Sequence, residues 1–274
     1  MHKKKTIFEI ILIYFGLTAA TLFFLLPLMW IFRTSLITKL EAYKIPPNWS
    51  ATLTLENYYN IFNNNPFAQY FFNSFLVAIL ATVISILFGA MAAYWVARFS
   101  KGNNNIKLAI LMTQMIPPVV MVIPLALIVK SIGLDDTIFA LVAAYLTFNL
   151  PYVIWMLISF FESVPAELEE ACEIDGCTKL QAYFRVVLPL AAPGVMATSV
   201  YSFIVSWNEF MFALNLTGLK TRTLPVAIAN METQQGVMIA ELCASTILAI
   251  LPVIILSIFI KKYLVNGLTF GSIK

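Results

Sequence analysis

Residues 164–193 read VPAELEEACEIDGCTKLQAYFRVVLPLAAP, and this stretch decides how the chain is organised. It is the only long polar interval between two strongly apolar regions, and six acidic residues lie between Glu162 and Asp175. The regions before and after it have the composition of membrane-spanning segments. A polar, helix-forming block between such segments predicts a surface that another molecule grips.

Within this block the sequence predicts two short helices joined at Gly176. Ser163 and Pro165 suit the first helical turn, and glutamates near a helix start favour the positive end of its dipole. Gly176 occupies the position where a left-handed stop is needed, a conformation that is costly for residues with a β-carbon. The glutamates are Glu167, Glu169 and Glu170.

The second helix is predicted to begin at a capping box formed by Thr178 and Gln181. Apolar residues at helical spacing give each helix a stripe, and Pro189 and Pro193 are predicted to end the second helix and lead into the next apolar run. The stripes are Leu168, Ala171 and Cys172 in the first helix, and Leu180, Tyr183, Phe184, Val187 and Leu188 in the second.

The composition predicts a membrane protein. Of the 274 residues, 61% are hydrophobic and 11% are charged, whereas soluble domains carry about 25% charged residues. The apolar runs are continuous and long enough to cross the roughly 30 Å hydrocarbon layer as helices. We therefore predict an all-α, polytopic membrane protein with one domain over residues 1–274. Its six predicted spans are about 7–32, 70–97, 106–130, 137–161, 193–216 and 239–260.

The distribution of basic residues orients these spans. Eleven of the 17 lysines and arginines fall on the side of the chain termini and six on the other, and basic residues favour the cytoplasmic side. Both termini, the central loop 162–192 and the tail 261–274 are thus predicted to be cytoplasmic. Loops 33–69 and 217–238 are predicted to be external, the first with short helices of its own.

Two features inside the spans predict close packing and bending. Gly89, Ala93 and Ala97 recur every four residues, and this small face favours packing within the subunit over contact with another subunit. The third span contains Pro117-Pro118 and Pro124, and prolines bend membrane helices. A bend that lines a transport path and a purely structural kink both remain open.

Several kinds of site are excluded or disfavoured by the residues present. The three cysteines form no CxxC pair, and the only histidine is His2, so no metal site is expected. Cys172, Cys177 and Cys243 are interpreted as small packing residues. Because no glycine is followed directly by lysine, the chain has no Walker phosphate loop for ATP.

The central block resembles the cytoplasmic motif of permeases in binding-protein-dependent ABC importers. That motif is Glu-Ala-Ala, three residues, Gly, nine residues, Ile, one residue, Leu-Pro. The chain keeps every spacing, with Glu170, Ala171, Cys172, Gly176, Val186, Leu188 and Pro189. It departs at Cys172, which replaces the second alanine, and at Val186, which replaces isoleucine.

The resemblance extends to the carbohydrate branch of that family. Similarity to maltose- and multiple-sugar-type permeases is found at Pro151 and Trp155, in the stretches Leu168–Gly176 and Trp207–Phe210, and in the ending at residues 267–274. The ending is similar to that of the smaller of the two permeases in those systems, with Phe270 in place of the usual alanine. These similarities identify a permease for a sugar or oligosaccharide.

This resemblance implies the fold of a type I importer permease and a set of partners. A second, similar permease, two ATPase subunits, an external sugar-binding protein and the lipid bilayer of a prokaryotic inner membrane are expected, and no nucleic acid. The chain is then no enzyme: separate ATPase subunits bind ATP and Mg²⁺ and hydrolyse the ATP. The residues implied in coupling to the ATPase are Glu167, Glu170, Ala171, Cys172, Asp175, Gly176, Leu188 and Pro189, with Gly271 and Lys274 of the tail contacting it.

Residues of the fifth span are candidates for a substrate path. An ionised group within a span usually marks a pathway or a partner, so Glu209 has either a substrate or gate role or a structural hydrogen bond. Tyr201, Trp207 and Asn208 have side chains that stack on or bond to sugars, although packing explains each aromatic residue by itself. Glu241 lies near the predicted external end of its span and is interpreted as solvated.

Three other functions were weighed. An ion-driven secondary transporter would explain the spans and Glu209 but not the coupling motif. A membrane enzyme would need a catalytic group, but the sequence contains no nucleophile–base pair and no metal cluster. A permease for a non-sugar solute stays within the family, and the tail and the Trp207–Phe210 stretch argue against it.

Overall fold

A computed structural model describes residues 7–100, 104–233 and 236–269. Helices dominate it, as the sequence predicts, and a short antiparallel hairpin pairs β1 (Glu232–Thr233) with β2 (Gly236–Val237). In chain order the helices are α1 (Ile7–Ser35), α2 (Lys39–Ala42), α3 (Glu56–Asn64), α4 (Phe67–Phe99), α5 (Asn104–Gln114), α6 (Pro118–Ser131), α7 (Ile138–Glu162), α8 (Glu167–Ile174), α9 (Lys179–Ala182), a π-helical turn (Tyr183–Val187), α10 (Leu188–Leu190), α11 (Ala192–Trp207), α12 (Met211–Leu216), α13 (Leu224–Ala229) and α14 (Ile239–Thr269).

Four helices in the described part of the chain are long and apolar enough to cross a membrane: α1, α4, α7 and residues 239–258 of α14. Two further spans result if each of two sharply bent helix pairs crosses as a unit. The chain is therefore a multi-pass membrane protein with four to six spans. The six-span arrangement and its orientation remain predictions.

The first bent pair lies where the sequence places the third span. α5 and α6 meet at an angle of 80°, and the break falls directly before Pro118, the first residue of α6. Proline lacks the N–H that would continue the preceding helix, while its fixed φ suits a helix start. The bend predicted from the prolines thus lies at Pro117-Pro118, and Pro124 is accommodated inside α6.

The fifth predicted span, residues 193–216, is interrupted. α11 ends at Trp207, and α12 begins only at Met211. The Glu209 carboxylate accepts hydrogen bonds from the N–H groups of Phe212 (2.8 Å) and Ala213 (3.1 Å). Because these donors belong to the first turn of α12, the glutamate stabilises a new helix start at a point where the sequence predicts an unbroken helix.

The chain divides into two compact units, and the first comprises residues 1–67 and 228–251. The predicted external loop after α1 is ordered and carries the short helices α2 and α3, as expected. The Asn57 amide donates to the carbonyls of Ser35 (2.9 Å) and Ile37 (2.8 Å). Arg33 lies over the ring of Trp49, 5.0 Å from its centroid. These contacts fix the chain where it leaves α1.

The second unit comprises residues 68–227 and 252–274. Here α4 packs on α7 through the small face predicted from the sequence: Ala93 and Ala97 are buried, and a β-carbon at Gly89 would lie 2.7 Å from the Val153 side chain. The prediction that this face packs within the subunit is confirmed. Close approach of the two helices therefore requires glycine at position 89.

A polar latch joins the α6–α7 turn to the segment after α12 in this second unit. The Asp136 carboxylate accepts hydrogen bonds from the N–H groups of Gly218 (2.8 Å), Lys220 (3.3 Å) and Thr221 (3.0 Å) and from the Thr221 hydroxyl (2.6 Å). Burial alone would raise the pKa of Asp136, but these hydrogen bonds outweigh it and lower the pKa below its ordinary value.

The segment predicted as the second external loop is also structured. α13 and the hairpin lie within residues 217–238. At the start of α13, the N–H of Leu224 donates to the Ser74 hydroxyl over 2.7 Å. The Asn73 amide caps the carbonyls of Lys220 and Arg222, each over 3.0 Å.

Candidate functional site

The central block folds as the helix–glycine–helix unit that the sequence predicts. α8 ends at Ile174, and Gly176 adopts a φ of +91°. The N–H of Gly176 donates to the carbonyl of Glu173 (3.0 Å), and the N–H of Cys177 donates to that of Cys172 (2.9 Å). This pair of hydrogen bonds is a Schellman motif, which closes a helix when glycine provides the left-handed residue.

The second half of the unit begins at the predicted capping box. The Thr178 hydroxyl accepts from the N–H of Gln181 (3.3 Å), and the Gln181 side chain accepts from the N–H of Thr178 (2.9 Å). Beyond α9 the helix widens to a π-helical turn and continues through α10. Pro189 was predicted to end this helix, but it lies within α10, and the chain bends by 77° between α10 and α11.

The start of α8 differs from the prediction. Its N-cap position is Ala166, without a side-chain cap, whereas Ser163 caps the end of α7. The predicted apolar stripe of α8 is not a buried face: Leu168 borders a cavity of about 540 Å³ beside α7 and α11, and Ala171 is exposed. In the second helix Tyr183 and Val187 are buried as expected, while Leu180 and Phe184 are exposed.

One face of α8 points outward along its whole length. Glu167, Glu170, Ala171 and Ile174 follow the spacing of a single helix face, and all four are exposed. Ile174 is 86% exposed, which is unusual for a large aliphatic side chain on a rigid helix. The face thus exposes two carboxylates, one small residue and one large apolar residue together.

The opposite face of α8 is held by a buried ion pair. Glu169 is 8% exposed; its carboxylate pairs with Arg98 from the last turn of α4 and accepts a hydrogen bond from the Tyr94 hydroxyl (2.8 Å). Arg98 also donates to the carbonyl of Val164 (2.9 Å). Charge-assisted bonds of this kind fix the position of α8 on α4.

Sequence reasoning missed this pair because it treated Glu169 as one of three glutamates at a helix start. A signal was present: Arg98 directly follows the second predicted span, on the side where the acidic block was predicted to lie. An arginine at that position is a candidate partner for an acidic residue of the block. Which of the six acidic residues it contacts is decided by the tertiary fold.

The structure shows that two of the three cysteines are not simple packing residues. Cys172 and Cys177 were interpreted as packing residues, but they form a disulfide with their α-carbons 5.4 Å apart. Searching only for CxxC spacing overlooked them, because the Schellman motif brings together residues five positions apart. Cys243 is buried in α14, as a packing residue would be.

The residues predicted for a substrate path do not share one environment. Tyr201 is 49% exposed and stacks on Tyr152 with ring centroids 4.4 Å apart. Trp207 is 2% exposed and packs between Phe71 and Phe203, so it belongs to the core.

The two polar candidates for the substrate path, Asn208 and Glu209, also lie in different environments. Asn208 is exposed and its amide donates to the carbonyl of Ile204 (2.8 Å). Glu209 makes the structural hydrogen bonds to the start of α12 that were one of its two predicted roles.

A buried polar cluster joins α7 to α11 close to this region. The Asn149 amide donates to the Ser206 hydroxyl, and the Ser202 hydroxyl donates to the Asn149 carbonyl oxygen, each over 2.8 Å. Ser206 and Ser202 lie one helical turn apart on α11. Because all three side chains are buried and mutually bonded, the cluster fixes the pairing of the two helices instead of offering free groups to a solute.

The predicted tail contacts and the question of a metal site remain to be described. Gly271 and Lys274, predicted to contact an ATPase, lie outside the described residues. Among the residues described, no group of three or more histidine, cysteine or acidic side chains is arranged to hold a metal ion.

Residues 85–269 match the family described as "Binding-protein-dependent transport system inner membrane component". The trehalose transport system permease protein SugB of Mycobacterium tuberculosis is 38% identical over 256 residues, covering 91% of this chain and 92% of that protein. The sulfoquinovosyl glycerol transport system permease protein SmoH of Agrobacterium fabrum is 37% identical over 253 residues, covering 91% and 89%. The diacetylchitobiose uptake system permease protein DasC of Streptomyces coelicolor is 33% identical over 264 residues, covering 94% and 96%.

The fold has a counterpart among solved structures. A chain of a bacterial ABC transporter involved in the import of the acidic polysaccharide alginate superposes with a TM-score of 0.76, covering 96% of this chain and 99% of that one. The identity is 21%, so the similarity establishes the fold alone. The helical fold predicted from the sequence is thereby confirmed, while the six spans and their orientation stay predictions.

Proposed function

Because this chain belongs to the binding-protein-dependent transport system inner membrane component family, we propose that it is a permease subunit of an ATP-driven importer for a sugar or oligosaccharide. The resemblance to importer permeases, carried by the Glu170–Pro189 motif, is confirmed by this family. The carbohydrate branch, predicted mainly from the Trp207–Phe210 stretch and the ending at residues 267–274, is confirmed by the similarity to trehalose and sulfoquinovosyl glycerol permeases. An external binding protein delivers the solute, and the chain carries it across a prokaryotic inner membrane together with a second, homologous permease.

The observation that carries this proposal is the division of α8 into two faces. Its inner face is fixed to α4 through Glu169 and Arg98, while its outer face presents Glu167, Glu170 and Ile174 to a partner. A helix held in this way moves as one body with the spans behind it. A partner that grips the outer face therefore moves the membrane helices.

We assign the partner as an ATPase subunit, one of two that bind ATP and Mg²⁺ on the cytoplasmic side. α8 seats in a cleft of that subunit, where Glu167, Glu170 and Asp175 form polar contacts. Ala171 and Cys172 keep the helix thin, and Gly176 sets the direction in which the chain leaves the cleft. Leu188 and Pro189 lead back to the membrane, and the tail at Gly271 and Lys274 reaches the ATPase surface.

ATP-driven closure of the two ATPase subunits then carries α8 inward. The Arg98–Glu169 pair transmits this displacement to α4, which packs closely on α7 at Gly89 and Val153. The spans rock from inward-open to outward-open as a result. ATP hydrolysis takes place in the ATPase subunits, so the chain itself is a transport subunit and not an enzyme.

Within the membrane, we assign Tyr201 to the sugar path. Its ring is half-exposed and is held by the stack on Tyr152, and a fixed aromatic face is a surface on which sugar rings pack. Asn208 offers an exposed amide near the break after α11. Trp207 and Glu209 support this region by packing and by hydrogen bonding, respectively.

The experiment that tests the proposal is purification of the tagged chain from its native membrane in mild detergent, with co-purifying subunits identified by mass. A second permease and an ATPase subunit are expected, and candidate sugars with the binding protein should stimulate ATP hydrolysis in the reconstituted complex. Stimulation only by an amino acid or peptide would replace the sugar assignment. Recovery of the chain alone, moving solute along an ion gradient in liposomes, would overturn the proposal in favour of a secondary transporter.

A further inference from the structure

The turn that ends α8 places two cysteines against each other through its backbone. In a Schellman motif the residue two positions beyond the helix contacts the residue in its last turn. Those two positions are Cys177 and Cys172, linked by the N–H to C=O bond of 2.9 Å. Their α-carbons are 5.4 Å apart, in the middle of the range of roughly 4.4–6.8 Å that a disulfide spans. The disulfide therefore joins two residues that the hydrogen bonds of the turn already hold together.

Both cysteines are accessible, and the family motif does not require a cysteine at position 172. Cys172 and Cys177 are each partly exposed, in contrast to the buried Cys243. Cys172 also stands where the motif has alanine, so packing at this position does not require sulfur. An accessible pair of thiols held in bonding geometry is a site for thiol–disulfide exchange.

The geometry points to a redox-sensitive brake: Cys172 and Cys177 form a reversible disulfide by exchange with small-molecule disulfides of the glutathione class, and the closed form slows uptake. The effect on uptake rests on the proposed function, whereas the exchange does not. In a cytoplasmic setting such disulfides are transient and redox-sensing instead of structural. The disulfide then forms only when the cellular pool of small thiols is itself oxidised.

The exchange balances without another reactant. One protein thiolate attacks a sulfur of the small disulfide and releases one small thiolate, which leaves a mixed disulfide. The second protein thiolate attacks the protein sulfur of that mixed disulfide and releases the other small thiolate. Two protein thiols are oxidised, one small disulfide is reduced to two thiols, and the two protons pass from the protein thiols to the products.

The disulfide acts on the turn that it spans. Gly176 is the one described residue of the central block with a positive φ, and it lies between the two cysteines. A covalent link across it fixes the angle between α8 and α9. Because Gly176 is proposed to set the direction in which the chain leaves the ATPase cleft, a turn locked in one shape opposes its adjustment when the ATPase closes.

The test uses the assembled complex in proteoliposomes, equilibrated in buffers of reduced and oxidised glutathione. Peptide mass spectrometry after alkylation measures the oxidised fraction, and hydrogen exchange measures protection of the Gly176 and Cys177 amides. We expect oxidation to be reversible, to slow exchange at these amides, and to lower sugar uptake. Cys177→Ala, which keeps an apolar contact at that position, is expected to transport in both buffers alike.

Two results would overturn the proposal that this disulfide is a redox-sensitive brake. One is a dithiol that stays reduced in the most oxidising buffer. The other is a disulfide that forms while exchange and uptake stay unchanged. An equal loss of uptake in Cys177→Ala would place the effect of the oxidant on another thiol and overturn the proposed disulfide. Absence of uptake by the fully reduced complex would count against the proposed function instead, because the mass and exchange measurements still decide whether the pair is a redox site.

Discussion

Arg98 and Glu169 meet across 71 positions of sequence, one at the end of a long apolar helix and the other on the inner face of α8. Both side chains are largely buried, and Tyr94 and the carbonyl of Val164 complete their hydrogen bonds. Removing one partner of such a pair leaves an uncompensated charge, which costs about 3–5 kcal/mol. The pair therefore anchors α8 on the last turn of α4.

The first prediction concerns the anchor. Glu169→Gln should lower the thermal stability of the purified chain clearly, because Arg98 loses its buried counter-charge. Glu170→Gln, the change of the neighbouring exposed carboxylate, should leave stability within about 0.5 kcal/mol. Thermal unfolding in detergent compares the two. Equal stability of both variants would show that the Arg98–Glu169 pair does not hold α8.

A second prediction concerns the glycine that closes α8. Gly176→Asp should leave the chain inserted in the membrane and assembled but abolish sugar-stimulated ATP hydrolysis, because a side chain at φ +91° distorts the exit from the proposed cleft. Sugar uptake and ATP hydrolysis in proteoliposomes measure the loss.

The matched control is Gly133→Asp. Gly133 also has a positive φ, +69°, and no atom within 4 Å of its missing β-carbon, so both substitutions carry similar backbone strain of about 1–2 kcal/mol. We expect Gly133→Asp to keep coupling, since it lies in the turn on the predicted external side. A similar loss in both variants would indicate general instability and contradict the assignment of α8 as the coupling element.

The latch at Asp136 gives a third prediction. Asp136→Asn turns one acceptor oxygen into a donor that faces backbone N–H groups, and should destabilise the second unit by roughly 1–3 kcal/mol. Gly218→Ala should destabilise it as well, because the new β-carbon would lie 2.5 Å from the Asp136 carboxylate. Asp135→Asn, at the exposed neighbour, is the control and should have little effect.

The lowered pKa of Asp136 sets the pH dependence of this effect. A depressed carboxyl pKa stabilises the folded state fully above the unfolded pKa, and this contribution is lost as the pH falls through the folded value. The difference in melting temperature between the wild type and Asp136→Asn should thus stay constant from pH 7 to 5 and shrink only below about pH 4. A difference that shrinks between pH 7 and 5 would contradict the hydrogen-bond assignment.

Local rules explain which parts of the site were predictable. The capping box at Thr178 and the left-handed Gly176 depend on neighbouring residues alone, so their spacing was sufficient. The partner of Glu169 depends on a tertiary contact, and mean hydropathy carried no sign of it. The new helix start after Trp207 rests on local hydrogen bonds from Phe212 and Ala213 to Glu209, but hydropathy does not show that a carboxylate turns onto the next turn. The disulfide was predictable in part. A helix that stops at Gly176 with a Schellman motif brings Cys177 next to Cys172, but this follows only when both hydrogen bonds of the motif are considered.

The last prediction separates structure from solute contact in the fifth span. Glu209→Ala should lower stability by about 1–2 kcal/mol, the usual value of a lost helix cap, while Asn208→Ala next to it should change stability little. Tyr201→Ala should raise the sugar concentration needed for half-maximal uptake without a change in melting temperature, and Tyr201→Phe, which keeps the stack on Tyr152, should restore it. If Glu209→Ala instead weakened sugar uptake at unchanged stability, the carboxylate would be a solute ligand. Its hydrogen bonds to Phe212 and Ala213 would then be a resting arrangement that the sugar displaces.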